Sequence, residues 1–147
     1  LIIDFIETGK LFLGICLGMQ LLFTSSSENN QKDGLNIIQG EVTRFDNSGS
    51  DFTVPRVDWA ETVFTKPDKI ALGLSDKEYM YYVHSYFANP DKKSLILAES
   101  YYCGVNYCSG IKDNNIYAFQ FHPEKSSHNG KKIIENFISL VKKQNGG

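Results

Sequence analysis

Leu13-Gly14-Ile15-Cys16-Leu17-Gly18-Met19-Gln20 decides how this chain is read: an apolar run meets a cysteine flanked by glycines and passes at once into residues spaced for a helix. A strand that turns sharply into a helix holds its middle residue in a strained conformation, and small neighbours are needed where backbone approaches backbone. Gly14 and Gly18 meet that demand. A thiol so placed lies over a helix N-terminus, whose free amides and dipole favour thiolate, so the Cys16 pKa is expected below the ordinary value of about 8.5. The segment reads as a nucleophile elbow with sulfur in place of oxygen.

Working outward, Lys10 to Ile15 reads as a buried strand and Leu17 to Ser25 as a helix, which makes an α/β unit. Ser25 to Gly34 is polar and reads as a loop, Glu41 to Phe45 alternates like an exposed strand, and Asn47 to Asp51 is a second loop. Thr53 to Phe64 carries Pro55, which cannot donate to a central ladder, so an edge or irregular strand is expected. Tyr79 to Phe87 reads as one aromatic strand ending at Asn89-Pro90, with Leu95 to Glu99 as the next. Val105 to Ile111 and Ile116 to Phe121 form a hairpin pattern, turning at Asp113-Asn114-Asn115. Ile133, Ile134, Phe137, Ile138 and Val141 then share one helical face, with Lys142 and Lys143 at the negative end of the dipole and Gly146 as terminator. No repeat or linker divides the chain, so one domain over 1–147 is expected.

Bulk properties narrow the function. With 147 residues, 41% hydrophobic and 13% aromatic, the chain can build a substantial core. Fifteen Lys and Arg against 17 Asp and Glu give a net charge of -2, which sets up no field for nucleic acid. No apolar run approaches the ~20 residues of a membrane span, and no basic n-region precedes the first apolar residues, so no membrane partner is expected. Cys16, Cys103 and Cys108 are spaced for neither zinc nor a redox pair, and a reducing cytoplasm is the simplest setting. No metal and no cofactor is implied. Leu1 to Ile6 reads as part of an element already under way, from which we expect a domain lacking its N-terminal strands.

Directly after Ile116 to Phe121 comes His122-Pro123-Glu124. A cysteine nucleophile needs a base that can take its proton and later protonate a leaving amine, held in one tautomer by a third group. His122 and Glu124 are candidates for those roles, and Pro123 stiffens an extended segment between them. Alone, a glycine-flanked cysteine is more often a small buried residue, and a lone histidine after a strand more often a cap or surface group. The two motifs together outweigh both. His128 matches no such position and is expected as a cap or surface residue.

Gly14-Ile15-Cys16-Leu17-Gly18-Met19-Gln20 and Phe119-Gln120-Phe121-His122-Pro123-Glu124-Lys125-Ser126 resemble the signatures of the triad, or class I, glutamine amidotransferases. With Tyr82-Val83-His84-Ser85-Tyr86 between them, the strings are most similar to the glutaminase subunits of imidazole glycerol phosphate synthases, over essentially the whole chain. The resemblance implies an α/β fold with an open mixed or parallel sheet flanked by helices, flavodoxin-like. It implies that Cys16 attacks the amide of L-glutamine, that His122 shuttles the proton and that Glu124 orients the imidazole. Leu17 would supply one oxyanion donor, the other coming from an upstream loop, while Gly18, Gln20, His84, Ser85 and Tyr86 would contact the substrate. A heterodimeric partner, a (β/α)8 barrel cyclase of histidine biosynthesis, would receive the ammonia.

One departure stands out. The family pattern Gly-Trp-Asn near Val54-Pro55 is here Asp58-Trp59-Ala60, and Asp58 is expected to alter backbone freedom and the partner surface. Three other readings compete: a paralogue feeding ammonia to surface-sugar amidation, a stand-alone γ-glutamyl hydrolase, and a non-catalytic regulatory subunit.

Overall fold

A computed structural model describes residues 1–28 and 32–146. In chain order the elements are α1 (Ile2–Glu7), β1 (Phe12–Ile15), α2 (Leu17–Gln20), β2 (Phe23–Ser26), β3 (Lys32–Asp33), β4 (Ile38–Arg44) and β5 (Arg56–Phe64). There follow β6 (Lys77–His84), β7 (Tyr86–Pro90), β8 (Ile96–Tyr102), β9 (Val105–Asp113), β10 (Ile116–Phe119) and α3 (Ser127–Gln144). The strands share one open mixed sheet in the order β3-β2-β4-β7-β9-β8-β5-β6, with β10 joining β9 to β1. β1 runs parallel to β10 and β2 parallel to β4, the other pairs being antiparallel. The α/β class expected from the elbow is therefore what forms.

Alternation along β10 shows why both faces are covered. Tyr117 and Phe119 belong to one buried cluster, Ile116 and Ala118 to another, as successive side chains of a strand must point to opposite faces. On the first face Ile133, Phe137 and Leu140 of α3 pack beside Tyr82, Tyr107 and Phe121. On the second, Met19 and Leu22 pack with Phe23, Val42 and Ile111, and Ile6 of α1 leans on them. Each of these that is fully buried, such as Ile133, Phe121, Met19 or Phe23, contributes roughly 1.5–3 kcal/mol of transfer free energy.

Several expectations need correction. The helix after Cys16 is a single turn, and Phe23–Ser26, expected within it or in the following loop, is strand β2. The aromatic and hydroxyl residues there are poor helix formers, and Phe23 is wholly buried against the sheet. Of the expected loop Ser25 to Gly34, residues 29–31 lie outside the described residues, and Lys32–Asp33 pairs with β2. β4 is an interior strand between β2 and β7.

The strand after Pro55 is interior as well, hydrogen-bonded to β6 along its length and to β8 at its end. Pro55 falls one residue before the ladder begins, so it removes no ladder donor. Tyr79 to Phe87 is broken at Ser85: β6 pairs with β5 while β7 crosses to β4 and β9. The hairpin forms with Ile116 opposite Asp113. On α3, Ile138 faces outward at 47% exposure, because the face that buries Ile133 and partly buries Phe137 and Leu140 has turned past it.

Candidate active site

β1 delivers Cys16 to the end of its ladder, where the Cys16 amide donates to the Phe119 carbonyl at 2.7 Å. Cys16 then adopts φ 53°, ψ -107°, a conformation that costs a non-glycine residue about 1–3 kcal/mol and is held by what surrounds it. Gly14 makes the turn possible, since a Cβ there would lie 2.9 Å from the Gly18 carbonyl oxygen. Gly18 differs from expectation: a Cβ on it meets nothing within 4 Å.

β10 delivers the second motif. Beyond Phe119 the chain runs through buried Gln120 and Phe121 to His122, after which Pro123–Lys125 forms one 3₁₀ turn with proline at its start. The segment was expected to be extended. Turning instead brings side chains two residues apart together, and His122 Nδ1 lies 2.6 Å from Glu124 Oε1. His122 Nε2 is buried and has no hydrogen-bond partner among the described residues. Beneath the turn, Ser126 Oγ donates to the His122 carbonyl at 2.6 Å, and a Cβ on Gly130 of α3 would collide with the Pro123 carbonyl, so the helix seats directly on the motif.

Both motifs are tied to one edge of β6. Tyr81 and Val83 face Trp59 and Val57 of β5 and turn their backbone groups outward. The Cys16 thiol donates to the Val83 carbonyl at 3.8 Å, and the His122 amide to the Tyr81 carbonyl at 2.9 Å. Carbonyls two residues apart on a strand are separated by about 6.5–7 Å, so the nucleophile and the imidazole-bearing backbone hang from neighbouring points of one rigid edge.

Beside the thiol is a cleft of about 180 Å³ lined by Cys16, Leu17, Gln20, Glu28, Val83, His84, Ser85 and Tyr86. It is smaller than the ~300–1,000 Å³ of drug-sized sites and suits a small metabolite. Leu17, Gln20, His84, Ser85 and Tyr86 are thus brought together with Cys16, while Gly18, His122 and Glu124 lie outside this lining. A larger groove of about 500 Å³, lined by Thr24, Gln39, Glu41, Asn89, Asp91 and Lys93 among others, holds none of the motif residues. Chemistry, rather than size, selects the smaller cleft.

Electrostatics revise the expectation for the thiol. Burial pushes the Cys16 thiol up from its ordinary value. The Leu17 amide pulls it down, the Glu124 carboxylate adds to the rise, and the Gln120 side chain and Lys125 lower it. A helix of four residues is too short to reverse the cost of desolvation. His84 is also buried, with Nδ1 2.7 Å from the Tyr86 carbonyl and Nε2 3.2 Å from Tyr107 Oη. Burial lowers its pKa to about 4, so the ring is neutral, donating from Nδ1 and accepting at Nε2.

Two site residues escaped the sequence reading. Glu28 had no signal beyond its place in a polar segment. Gln120 stood inside the second motif, yet its role depends on contacts far away in the chain. Among the described residues no group of three His, Cys, Asp or Glu is placed to hold a metal ion, and no helix is long and apolar enough to cross a membrane. Cys103 and Cys108 are free thiols, and His128 is exposed near the start of α3.

Asp58 keeps its side chain 41% exposed while pairing along the strand. It shares the inward register of β5 with Arg56, whose Nε donates to Asp58 Oδ1 at 2.7 Å. Arg56 is 3% exposed, donates from Nη1 to Tyr107 Oη at 2.9 Å, and lies over the rings of Tyr82 and Tyr102. The outward face instead carries Val57, Trp59 and Tyr79, all about half exposed.

A cysteine on a strained strand-to-helix turn and a His-Glu pair just past the end of the adjacent parallel strand are the two features of a class I glutamine amidotransferase that the sequence motifs point to. The family model for class-I glutamine amidotransferases matches residues 1–140, and the chain belongs to that family. It is 39% identical over 137 residues to the imidazole glycerol phosphate synthase subunit HisH of Chlorobaculum tepidum, covering 93% of this chain and 67% of that one. To the HisH subunit of Aquifex aeolicus it is 43% identical over 138 residues, covering 94% of this chain and 65% of the relative. The chain thus spans about two thirds of the length of the curated relatives it matches. A crystal structure of a glutamine amidotransferase from Thermotoga maritima shares the fold at TM-score 0.64 and 19% identity, over 98% of this chain and 54% of that one.

Proposed function

We propose that this chain is the glutaminase of an imidazole glycerol phosphate synthase, a single amidotransferase domain working in the cytoplasm on L-glutamine through Cys16, His122 and Glu124. The observation that carries the reading is the pair of anchors on β6 together with the state of His122. With Nδ1 taken by Glu124, only Nε2 is left to exchange a proton with the thiol. A thiol pushed up by burial is protonated at rest, which suits an enzyme whose nucleophile is to be deprotonated only when substrate and base are in place.

In this mechanism His122 Nε2 takes the Sγ proton as the thiolate attacks the substrate amide carbon. The oxyanion that forms is held by the Leu17 amide, the first of α2 and without an acceptor inside the helix. Return of the proton to nitrogen expels ammonia and leaves a glutamyl thioester. Water, deprotonated by His122, then releases glutamate. Gln20 and the segment His84-Ser85-Tyr86, which line the cleft, hold the amino and carboxylate ends of the substrate, with Gly18 at its margin.

Ammonia must remain unprotonated until it reacts, so it is handed directly to a synthase partner, a (β/α)8 barrel cyclase. The exposed Val57, Trp59 and Tyr79, on the face of the same β5–β6 ribbon whose edge holds the motifs, suit such a partner. The test is ammonia release from glutamine and from γ-glutamyl peptides, with and without the barrel cyclase. Release from glutamine that rises with the cyclase supports the reading. Full activity alone, peptide hydrolysis, or no labelling of Cys16 by a glutamine-like chloroketone overturns it in favour of a stand-alone hydrolase or a non-catalytic subunit.

A further inference from the structure

We propose that Gln120 is a catalytic residue: its side-chain amide holds an N–H on Cys16 Sγ and stabilises the thiolate. The argument is one of donor and acceptor counting, and it begins at a group that can only accept. The Tyr86 carbonyl takes a hydrogen from His84 Nδ1 at 2.7 Å and from Gln20 Nε2 at 3.0 Å, so the Gln20 amide must turn its nitrogen that way. The same Gln20 nitrogen lies 3.0 Å from Gln120 Oε1 and spends its second hydrogen there. Gln120 therefore faces Gln20 with oxygen and has nitrogen left for its other neighbour, Cys16 Sγ, at 3.6 Å.

Turning the Gln120 amide over would oppose two N–H donors and set an acceptor against the sulfur. A backbone carbonyl at the β6–β7 break thus orients two amides in sequence and aims a donor at the nucleophile. Gln120 is wholly buried, and its backbone amide donates to the Ser109 carbonyl at 2.9 Å, which anchors it. In the thiol form sulfur donates to the Val83 carbonyl across a long 3.8 Å; in the thiolate form it accepts from Gln120. Gln120 is among the groups that lower the thiol pKa against burial, and hydrogen bonds to a charged acceptor are the stronger kind.

This proposal rests on Cys16 being the nucleophile, but its test does not need turnover. The whole protein, as Cys103→Ser and as the same with Gln120→Met or Gln120→Glu, is alkylated with iodoacetamide from pH 6 to 11, with Cys16 followed by peptide mass spectrometry. Gln120→Met keeps the volume and removes the donor, and the mid-point of the rate profile is expected to rise by about one pH unit, a tenfold loss of rate at neutral pH. Gln120→Glu is expected to raise it further, with the high-pH plateau within a few-fold of the parent in both. A purely structural role would change the plateau or the melting temperature and leave the mid-point in place, which overturns the proposal.

Should Gln120→Met fail to fold, Gln20→Leu frees the Gln120 amide to turn, and a mid-point that does not rise in it overturns the proposal equally. An unmoved mid-point with glutaminase activity intact in the parent removes this inference alone. A moved mid-point in a parent that never releases ammonia removes the proposed function alone.

Discussion

The Nδ1 atom of His122 lies 2.6 Å from Oε1 of Glu124, while the same carboxylate pushes the Cys16 thiol up. In the proposed triad Glu124 therefore acts on the two other members with opposite consequences. Glu124→Gln removes the charge that steadies an imidazolium, and glutaminase kcat is expected to fall at least about a hundredfold, a serine triad losing about 10⁴ in the equivalent change. The same variant lowers the Cys16 pKa, so alkylation at neutral pH quickens. Measuring both on one preparation checks the prediction; alkylation that slows along with turnover would count against it.

Gly14 and Gly18 flank the nucleophile symmetrically in sequence but not in space. Gly14→Ala sets a Cβ 2.9 Å from a backbone carbonyl of α2, which cannot move without shifting the turn, and a loss of about 1–3 kcal/mol is expected in urea denaturation. Gly18→Ala meets open space and is expected to gain up to about 1 kcal/mol in the helix. Turnover lost in a stable Gly18→Ala variant would then place glycine's value at the substrate.

What could be read from the sequence follows the range of the interactions involved. Cys16 and the His122-Pro123-Glu124 turn are local strings, and the alternation that buries β10 lies within four residues. The aromatic run from Tyr79 to Phe87 gave no hint of the break at Ser85, because the break comes from pairing with β5 on one side and β4 on the other. Pro55 misled because the rule against proline in central strands applies only inside the ladder. Gln120 was in view all along, but its orientation is set by Gln20, 100 residues earlier in the chain, and by a carbonyl at residue 86.

Asp58 and Trp59 are adjacent on β5 and face opposite ways, so their substitution separates stability from association. Asp58→Gly, which restores the family pattern, leaves the buried Arg56 Nε without an acceptor, and a loss of about 1–3 kcal/mol is expected, with Asp58→Asn in between. Trp59→Ala removes a ring packed edge-on against Tyr81 and half exposed; it is expected to cost little stability but, with the cyclase proposed above as partner, to weaken its binding by about 2 kcal/mol. Urea denaturation and titration with the cyclase check the two effects. Equal stability losses in both would contradict the assignment of faces.

His84 makes folding stability depend on mildly acid pH. Its pKa is lowered from 6.5 to about 4, by burial first, so between those values the unfolded chain binds a proton that the folded chain does not. The stabilisation is complete above about pH 6.5 and lost as pH falls toward 4, in total on the order of 3 kcal/mol. Protonation at Nε2 would also break the bond from Tyr107 Oη, which in turn receives Arg56 Nη1, so the acid form disturbs the cleft wall and the Arg56 cluster together. His84→Gln keeps a donor for the Tyr86 carbonyl and does not titrate. Urea denaturation at pH 7 and pH 5 should show a smaller drop in this variant than in the parent, and an unchanged drop would assign the acid sensitivity to other groups.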